Sequence, residues 1–195
     1  MQEQEQLLEE LIGEPITSTR ELAEGQVGLV LQVTTASERA LVAKFSAADN
    51  EDLLLEARML DDLAAHDDFP SLPILARSPR CLIMEHIPTY QGRESHAAEE
   101  HAARALANLH DHTAPRYGYD YDNLIGGLPQ RNTWEDDWST FFAKHRLLAM
   151  GQMCLEHEAI SKNTMRRLHE VIERLDDLIP EPNKPGLIHG DIWGG

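Results

Sequence analysis

The spacing of apolar residues changes once along the chain, near Pro88, and this change limits the possible folds more than any other feature of the sequence. Before Pro88, short apolar and β-branched runs are separated by turn residues, a pattern typical of strands. After it, apolar residues recur every three or four positions, which is the spacing of helices that bury one face. We therefore predict an α+β fold of two lobes, a sheet lobe over residues 1–87 and a helical lobe over residues 88–195.

The same two patterns of apolar residues predict the individual strands and helices. The strand candidates are residues 16–22, 27–33, 40–45 and 81–87, with a hairpin turn at 24–26 between the first two. The helix candidates are residues 50–65, 96–110, a helix capped by Thr133, and 164–179, which Pro180 ends.

The charge balance and the absence of long apolar runs argue against several classes of protein. The chain has 34 acidic and 17 basic residues, a formal net charge of −17 that repels the phosphate backbone of nucleic acids. No apolar run approaches the ~18 residues of a membrane-spanning helix, and the polar N-terminus does not have the pattern of a secretion signal. Cys81 and Cys154 fit no metal or disulfide spacing. We expect a cytoplasmic protein that binds neither nucleic acid nor membrane.

Lys44 and Glu56 are the first candidate functional residues. Lys44 lies near the end of a strand that reads Leu-Val-Ala-Lys, close to the Val-Ala-Ile-Lys strand of kinases, although a lysine that ends a strand is usually only solvated. Glu56 falls between Leu53 and Leu60 on the apolar stripe of the following helix, where a carboxylate needs a partner. Lys44 is the plausible partner; a shift in helix register would instead turn Glu56 outward.

The end of the chain carries the strongest motif, His189-Gly190-Asp191-Ile192-Trp193-Gly194-Gly195. Kinase catalytic loops read His-Arg-Asp-Leu-x-x-x-Asn, in which the Asp accepts the proton of the attacking hydroxyl and the Asn binds magnesium. Here Gly190 takes the place of the Arg, as in small-molecule phosphotransferases that resemble aminoglycoside kinases. The alternative is an ordinary turn, since Gly-Asp and Gly-Gly pairs favour turns.

The chain resembles the fructosamine kinases, a branch of the kinase-like aminoglycoside and choline phosphotransferase group. The segments that carry this resemblance are 117–119, 122–132, 137–142, 146–147 and 189–195. The resemblance implies a protein-kinase-like two-lobe fold, ATP and Mg²⁺ as cofactors, and Asp191 as the catalytic base. Trp193, beside that base, would flank the substrate.

The resemblance also implies which residues bind the nucleotide. Lys44 with Glu56 would anchor the phosphates, and the backbone of a hinge at Glu85, His86 and Ile87 would hold adenine. Residues 25–27 would form the turn over the phosphates, although they do not form a Gly-x-Gly-x-x-Gly pattern.

The kinase pattern extends past the last residue of this sequence. Counting five residues from Asp191 gives position 196 for the magnesium-binding Asn, so we expect no metal ligands within the 195 residues and a fold truncated within its helical lobe. We expect such a truncated chain to be inactive by itself. We also expect it to self-associate through the apolar face that the remaining helices would cover.

These inferences favour an ATP-dependent kinase that phosphorylates a hydroxyl of a fructosamine, a small glycated amine. Two alternatives remain open at this stage. One is a kinase for another amino-sugar or amino-alcohol, such as an aminoglycoside. The other is a non-catalytic nucleotide-binding fragment or interaction module.

Overall fold

A five-stranded antiparallel sheet forms the centre of the N-terminal part of the chain. The computed structural model describes residues 2–25, 28–46, 53–88 and 96–190. The strands are β1 (Ile16–Gly25), β2 (Gly28–Thr35), β3 (Ala40–Phe45), β4 (Ile74–Arg77) and β5 (Cys81–Glu85), in the spatial order β1-β2-β3-β5-β4. All four predicted strands are therefore confirmed, with small shifts at their ends. Gln26 and Val27, which belong to the predicted turn over the phosphates, lie outside the described residues.

Two helices pack on the sheet, α1 (Gln2–Ile12) and α2 (Leu53–Ala64). Leu8 of α1 is fully buried in a cluster with Leu41 and Ile83. Leu53 and Ala57 of α2 belong to a second cluster with Leu82 and Met84. Since neighbouring residues of a strand point to opposite faces, the two clusters lie on opposite faces of the sheet.

Strand β5 contributes to both clusters, which explains its continuous apolar sequence. Cys81 and Ile83 belong to the cluster of α1, while Leu82 and Met84 belong to that of α2. All four are buried, and the exposed Glu85 ends the strand. A strand covered on both faces does not alternate polar and apolar residues.

The chain divides into two compact units, residues 1–106 and 107–195, which we call the sheet unit and the helical unit. The division falls inside α3 (His96–Asp111). The sequence predicts a boundary between two lobes at residues 87/88, and this boundary stays a prediction.

The helical unit contains a short hairpin and several helices. The hairpin strands are β6 (Asn123–Ile125) and β7 (Leu128–Gln130), joined by a Gly126-Gly127 turn in which both glycines have positive φ angles of 54° and 82°. Two glycines with positive φ fit a tight turn of the kind that joins adjacent strands. The helices are α4 (Trp138–Phe142), a π-helical segment (Ala143–Leu148), α5 (Ala149–Glu156), α6 (Lys162–Ile172) and α7 (Leu175–Leu178).

Two predicted helices are corrected by the structure. Thr133 does not cap a helix, because Glu135 pairs with Tyr117 in a β-bridge; Asp137 caps α4 instead, and its side chain accepts a hydrogen bond from the Thr140 N–H at 2.8 Å. The helix predicted over 164–179 begins earlier, at a Ser161 cap, and is interrupted between α6 and α7. None of the helices within the described ranges is long and apolar enough to cross a membrane.

Candidate active site

An ion pair joins Lys44 of β3 to Glu56 of α2. The Lys44 Nζ lies 2.8 Å from Oε1 and 2.6 Å from Oε2 of Glu56. The two side chains are only 15% and 30% exposed. The contact that the sequence predicted between these residues is therefore present, and the carboxylate holds the ammonium group from both of its oxygens.

The alternation of β3 explains why Lys44 faces α2. Leu41, Ala43 and Phe45 point to the α1 face of the sheet, so Val42 and Lys44 point to the opposite face. Glu56 lies in the first turn of α2, where the helix dipole favours a negative charge.

The surroundings of the pair are apolar. The cross-strand neighbours of Lys44 are Val30 and Leu82, and Ala57, next to Glu56 in α2, is fully buried. A low-dielectric surrounding strengthens the attraction between the two charges and makes either one costly if its partner is removed.

The predicted hinge follows the end of β5. The His86 N–H donates a hydrogen bond to the Ala40 carbonyl at 3.3 Å, so this amide already belongs to the sheet. Hydrogen bonds alternate sides along an antiparallel strand, so the Glu85 backbone groups face the other edge, towards β4. There Ile74 is opposite Met84, and the preceding residue, Pro73, has no N–H to offer the Glu85 carbonyl.

Ile87 is the last of the predicted hinge residues. Pro88 favours an extended backbone at this position. The Ile87 side chain is 63% exposed. Of the three predicted hinge residues, the His86 amide is therefore occupied within the sheet, while the roles of Glu85 and Ile87 stay predictions.

The segment that leads into the His189-Gly190-Asp191 motif is attached to the end of α3. Lys184 Nζ lies 2.6 Å from Asp111 Oδ1, the Ala114 N–H donates to the Pro185 carbonyl at 3.0 Å, and the Leu187 N–H donates to the His112 carbonyl at 2.8 Å. Thr113 and Gly186 form a β-bridge between these bonds. The course of the chain up to the motif is thus fixed by backbone pairing.

Gly190 has a φ angle of 84°. This is a left-handed conformation that side chains other than glycine adopt with strain, while a Cβ built there would meet nothing within 4 Å. Backbone conformation, and not lack of space, therefore requires glycine at this position of the motif. The predicted catalytic base Asp191 and the substrate-flanking Trp193 lie outside the described residues, so their roles stay predictions.

A buried polar network in the helical unit was not found by sequence reasoning. Asn132 is 2% exposed, and its Nδ2 donates to the Tyr121 carbonyl at 3.1 Å and to Asn123 Oδ1 at 2.8 Å. Its Oδ1 accepts a hydrogen bond from Arg146 at 2.7 Å. The sequence contained one signal, the resemblance of residues 122–132 to a family loop, but this did not indicate which residue organises the loop.

Metal binding has no candidate in the part of the chain that the structure describes. No three His, Cys, Asp or Glu side chains within those ranges come together as metal ligands. Cys81 and Cys154 are free thiols, and burial raises the pKa of Cys81 to about 12.

The comparisons with known proteins agree on one protein family. A family model described as fructosamine kinase matches residues 1–195. A protein of Enterococcus faecium named as a probable ketoamine kinase is 40% identical over 119 residues, which cover 58% of this chain and 40% of that protein. The chloroplastic protein-ribulosamine 3-kinase of Arabidopsis thaliana is 32% identical over 119 residues, 58% of this chain and 35% of that protein.

Solved structures show the same fold. A crystal structure from Thermobifida fusca, described as a fructosamine-3-kinase, superposes with a TM-score of 0.83 at 26% identity and covers 97% of this chain and 66% of that chain. The streptomycin–ATP ternary complex of APH(2")-IIa has a TM-score of 0.52 at 16% identity, covering 88% and 57% of the two chains. The kinase-like fold expected from the sequence is confirmed. The chain spans about two fifths of the length of the curated relatives and two thirds of the first solved structure.

Proposed function

This chain belongs to the fructosamine kinase family, and on that premise we propose that the protein transfers the γ-phosphoryl group of ATP to a hydroxyl of a ketosamine. The observation that carries the proposal is the Lys44–Glu56 ion pair, with N–O distances of 2.8 and 2.6 Å. Phosphoryl transfer depends on holding charged phosphates in position, and a lysine fixed by a glutamate does this in kinases.

In the proposed reaction the sheet unit binds the nucleotide. Glu56 holds the Lys44 ammonium, whose remaining N–H donates to a phosphate oxygen, since an ammonium group has three donors. The Glu85 carbonyl and the Ile87 N–H form an acceptor–donor pair that matches the edge of adenine. The His86 N–H does not take part, because it donates to Ala40.

Asp191 is the proposed catalytic base. Its role is to orient the ketosamine hydroxyl and accept its proton, a task that needs correct position more than high basicity because the transition state of phosphoryl transfer is loose. The backbone pairing of residues 185–187 with residues 112–114, just after α3, and the φ of Gly190 support this role, since they direct the chain into the motif.

Mg²⁺ is expected for the family, but the described residues do not provide a set of ligands for it. ATP use is likewise part of the proposal, because it comes from the family.

The ketosamine is the proposed substrate because relatives are named as ketoamine and protein-ribulosamine kinases. The likeness to APH(2")-IIa concerns the fold alone and does not extend the proposal to aminoglycosides. The proposed compartment is the cytoplasm, which suits ATP-dependent chemistry and two free thiols.

The test is a substrate panel on the full-length protein with ATP and magnesium. Release of ADP measures the turnover of each substrate. Fructosyl-lysine and ribulosyl-lysine should be phosphorylated faster than kanamycin or choline. Asp191→Asn should abolish turnover and still bind ATP, which separates the base from the nucleotide site. Turnover of kanamycin without turnover of either ketosamine would overturn the proposed substrate and leave the fold unaffected.

A further inference from the structure

One row of residues across the five-stranded sheet carries two cations. Lys44 of β3 is opposite Leu82 of β5, and Leu82 is opposite Arg77 of β4. Residues that are directly opposite in antiparallel strands point to the same face of the sheet. Leu82 is fully buried in the cluster of α2. The Lys44 and Arg77 side chains, on either side of Leu82, therefore face α2 as well.

Each cation of this row binds a carboxylate of α2. Lys44 binds Glu56, and the Arg77 guanidinium binds Asp61 through both Nη1 and Nη2, with 3.0 Å between Nη2 and Oδ1. Two bonds from one planar group to one carboxylate fix its orientation as well as its distance. The hydrogen bond from Arg77 also lowers the pKa of Asp61. Helix α2 is thus attached to a single row of the sheet by two ion pairs.

The apolar contacts of α2 fix its position less closely. Of its twelve residues, Leu53 and Ala57 are the buried ones. Apolar contact resists separation of the helix from the sheet, but it is non-directional and does not define where on the sheet the helix lies. The N-terminal end of α2 is held by a hydrogen bond from the Leu53 N–H to the Pro79 carbonyl at 3.0 Å, in the turn between β4 and β5. Glu56 lies between this attachment and the arginine ion pair.

The Arg77–Asp61 pair is suited to fixing a position more than to stabilising the fold. Its side chains are 41% and 47% exposed, and exposed ion pairs contribute little to stability. A hydrogen bond in the same half of α2, from the Ser71 hydroxyl to the Leu60 carbonyl at 3.4 Å, is a weaker restraint. Position matters at Glu56, because the groups of a binding site have to stay within about 0.5 Å of the productive geometry.

We propose that Arg77 and Asp61 are positioning residues for the phosphate anchor. They fix α2 on the sheet, so that the Glu56 carboxylate stays on the Lys44 ammonium group when Lys44 binds the phosphates of ATP. This inference rests on the proposed function, because it names residues that set the geometry of the proposed nucleotide site. Arg77 and Asp61 act through α2 and do not contact the nucleotide.

The test is isothermal titration of the full-length protein and its Asp61→Ala variant with ATP and with adenosine. Without its carboxylate partner Arg77 cannot hold α2, so ATP binding should weaken about threefold to tenfold, within the range for residues that act on a ligand without touching it. Adenosine has no phosphates for Lys44 to bind, so its affinity should not change. Alanine is the best helix former, and loss of a negative charge favours an anion, so neither change explains weaker ATP binding.

A double variant separates positioning from a general loss of structure. In the Lys44→Ala background there is no ammonium group for α2 to position. Addition of Asp61→Ala to that background should therefore cause no further loss of ATP affinity, whereas the effects of independent sites add. Losses that add in the double variant would overturn the inference.

The matched control is Glu3→Ala, which removes the ion pair between Glu3 of α1 and Arg80 in the turn between β4 and β5. It also removes one negative charge and one exposed ion pair between a helix and these strands, but α1 covers the other face of the sheet. ATP binding should stay at the wild-type level.

Three further results would overturn the inference: wild-type ATP affinity in Asp61→Ala, an equal loss of ATP and adenosine affinity in that variant, or an equal loss of ATP affinity in Glu3→Ala. A wild-type protein that binds no ATP overturns the proposed function itself, a result distinct from these.

Discussion

The sheet unit and the helical unit hold their central polar side chains by different means. Lys44 and Glu56 project from a regular strand and a regular helix and meet directly as opposite charges. Arg146, which a π-helical turn supplies, donates directly to the uncharged Asn132 side chain and to the Arg131 carbonyl of the loop. A charge on a regular strand or helix can therefore be matched to its partner from the sequence period alone, whereas the contacts of a loop network are indicated by no local sequence pattern.

The largest effect should come from removing the charge at the centre of the sheet unit. Lys44→Ala is expected to weaken ATP binding by about 10–100-fold, the range for a lost hydrogen bond to a charged group. Isothermal titration with ATP measures it. Lys184→Ala is the matched control, because Lys184 forms an ion pair of the same 2.6 Å length in the helical unit but is 50% exposed. Unchanged ATP binding in Lys44→Ala would show that the ion pair is structural.

The helical unit should lose stability when Asn132, an uncharged residue of its buried polar network, is replaced. Asn132→Ala leaves the Tyr121 carbonyl, the Asn123 amide and one Arg146 donor without their partner, which should lower the free energy of unfolding by about 1–3 kcal/mol. Urea unfolding gives the value. Asn163→Ala, at an exposed amide that accepts one hydrogen bond from Arg166, is the control and should be close to wild type. Equal effects of the two substitutions would contradict the view that the network holds the loop.

A smaller effect is expected from Glu56→Gln. The amide keeps an oxygen for Lys44 but loses the charge that fixes the ammonium, so ATP binding should weaken less than in Lys44→Ala. Titration of both variants under the same conditions decides the order. A larger loss in Glu56→Gln than in Lys44→Ala would mean that Glu56 contributes to nucleotide binding by another route.

The smallest effect concerns the surface pair of Lys184 and Asp111. The hydrogen bond from Lys184 lowers the pKa of Asp111. A carboxyl whose pKa is lowered by folding stabilises the protein above its unfolded pKa, and this contribution is lost as the pH falls through the lowered folded value. Asp111→Asn should therefore differ only slightly from wild type at pH 7, because exposed pairs contribute little, and the difference should vanish in acid. Thermal unfolding from pH 7 to pH 2 follows it; a difference that grows on acidification would reverse the assignment.

What could be predicted from the sequence follows the same division. The stripe position of Glu56 and the strand position of Lys44 were sufficient to pair them. Helix α1 was missed because most of its eleven residues are polar, although Leu8 is fully buried. Strand β4 was missed because it has only four residues, held in place by pairing with β5.

The helical unit was harder to predict because its local signals compete with distant contacts. Thr133 has the sequence pattern of a helix cap, but Glu135 forms a β-bridge with Tyr117, so no helix begins at Thr133. The importance of Asn132 depends on Arg146, fourteen positions later, and on a π-helical turn that the regular helix period does not describe.

The bond from the His86 N–H to the Ala40 carbonyl has a consequence for inhibitor design. If the proposed hinge holds adenine, His86 offers it no donor, because its N–H is already bonded within the sheet, and Pro88 has none to add. A flat heterocycle that competes for the proposed hinge therefore has to find its hydrogen bonds at Glu85 and Ile87. Compounds that depend on a bond from the His86 N–H should bind this protein poorly, and that requirement offers a way to obtain selectivity.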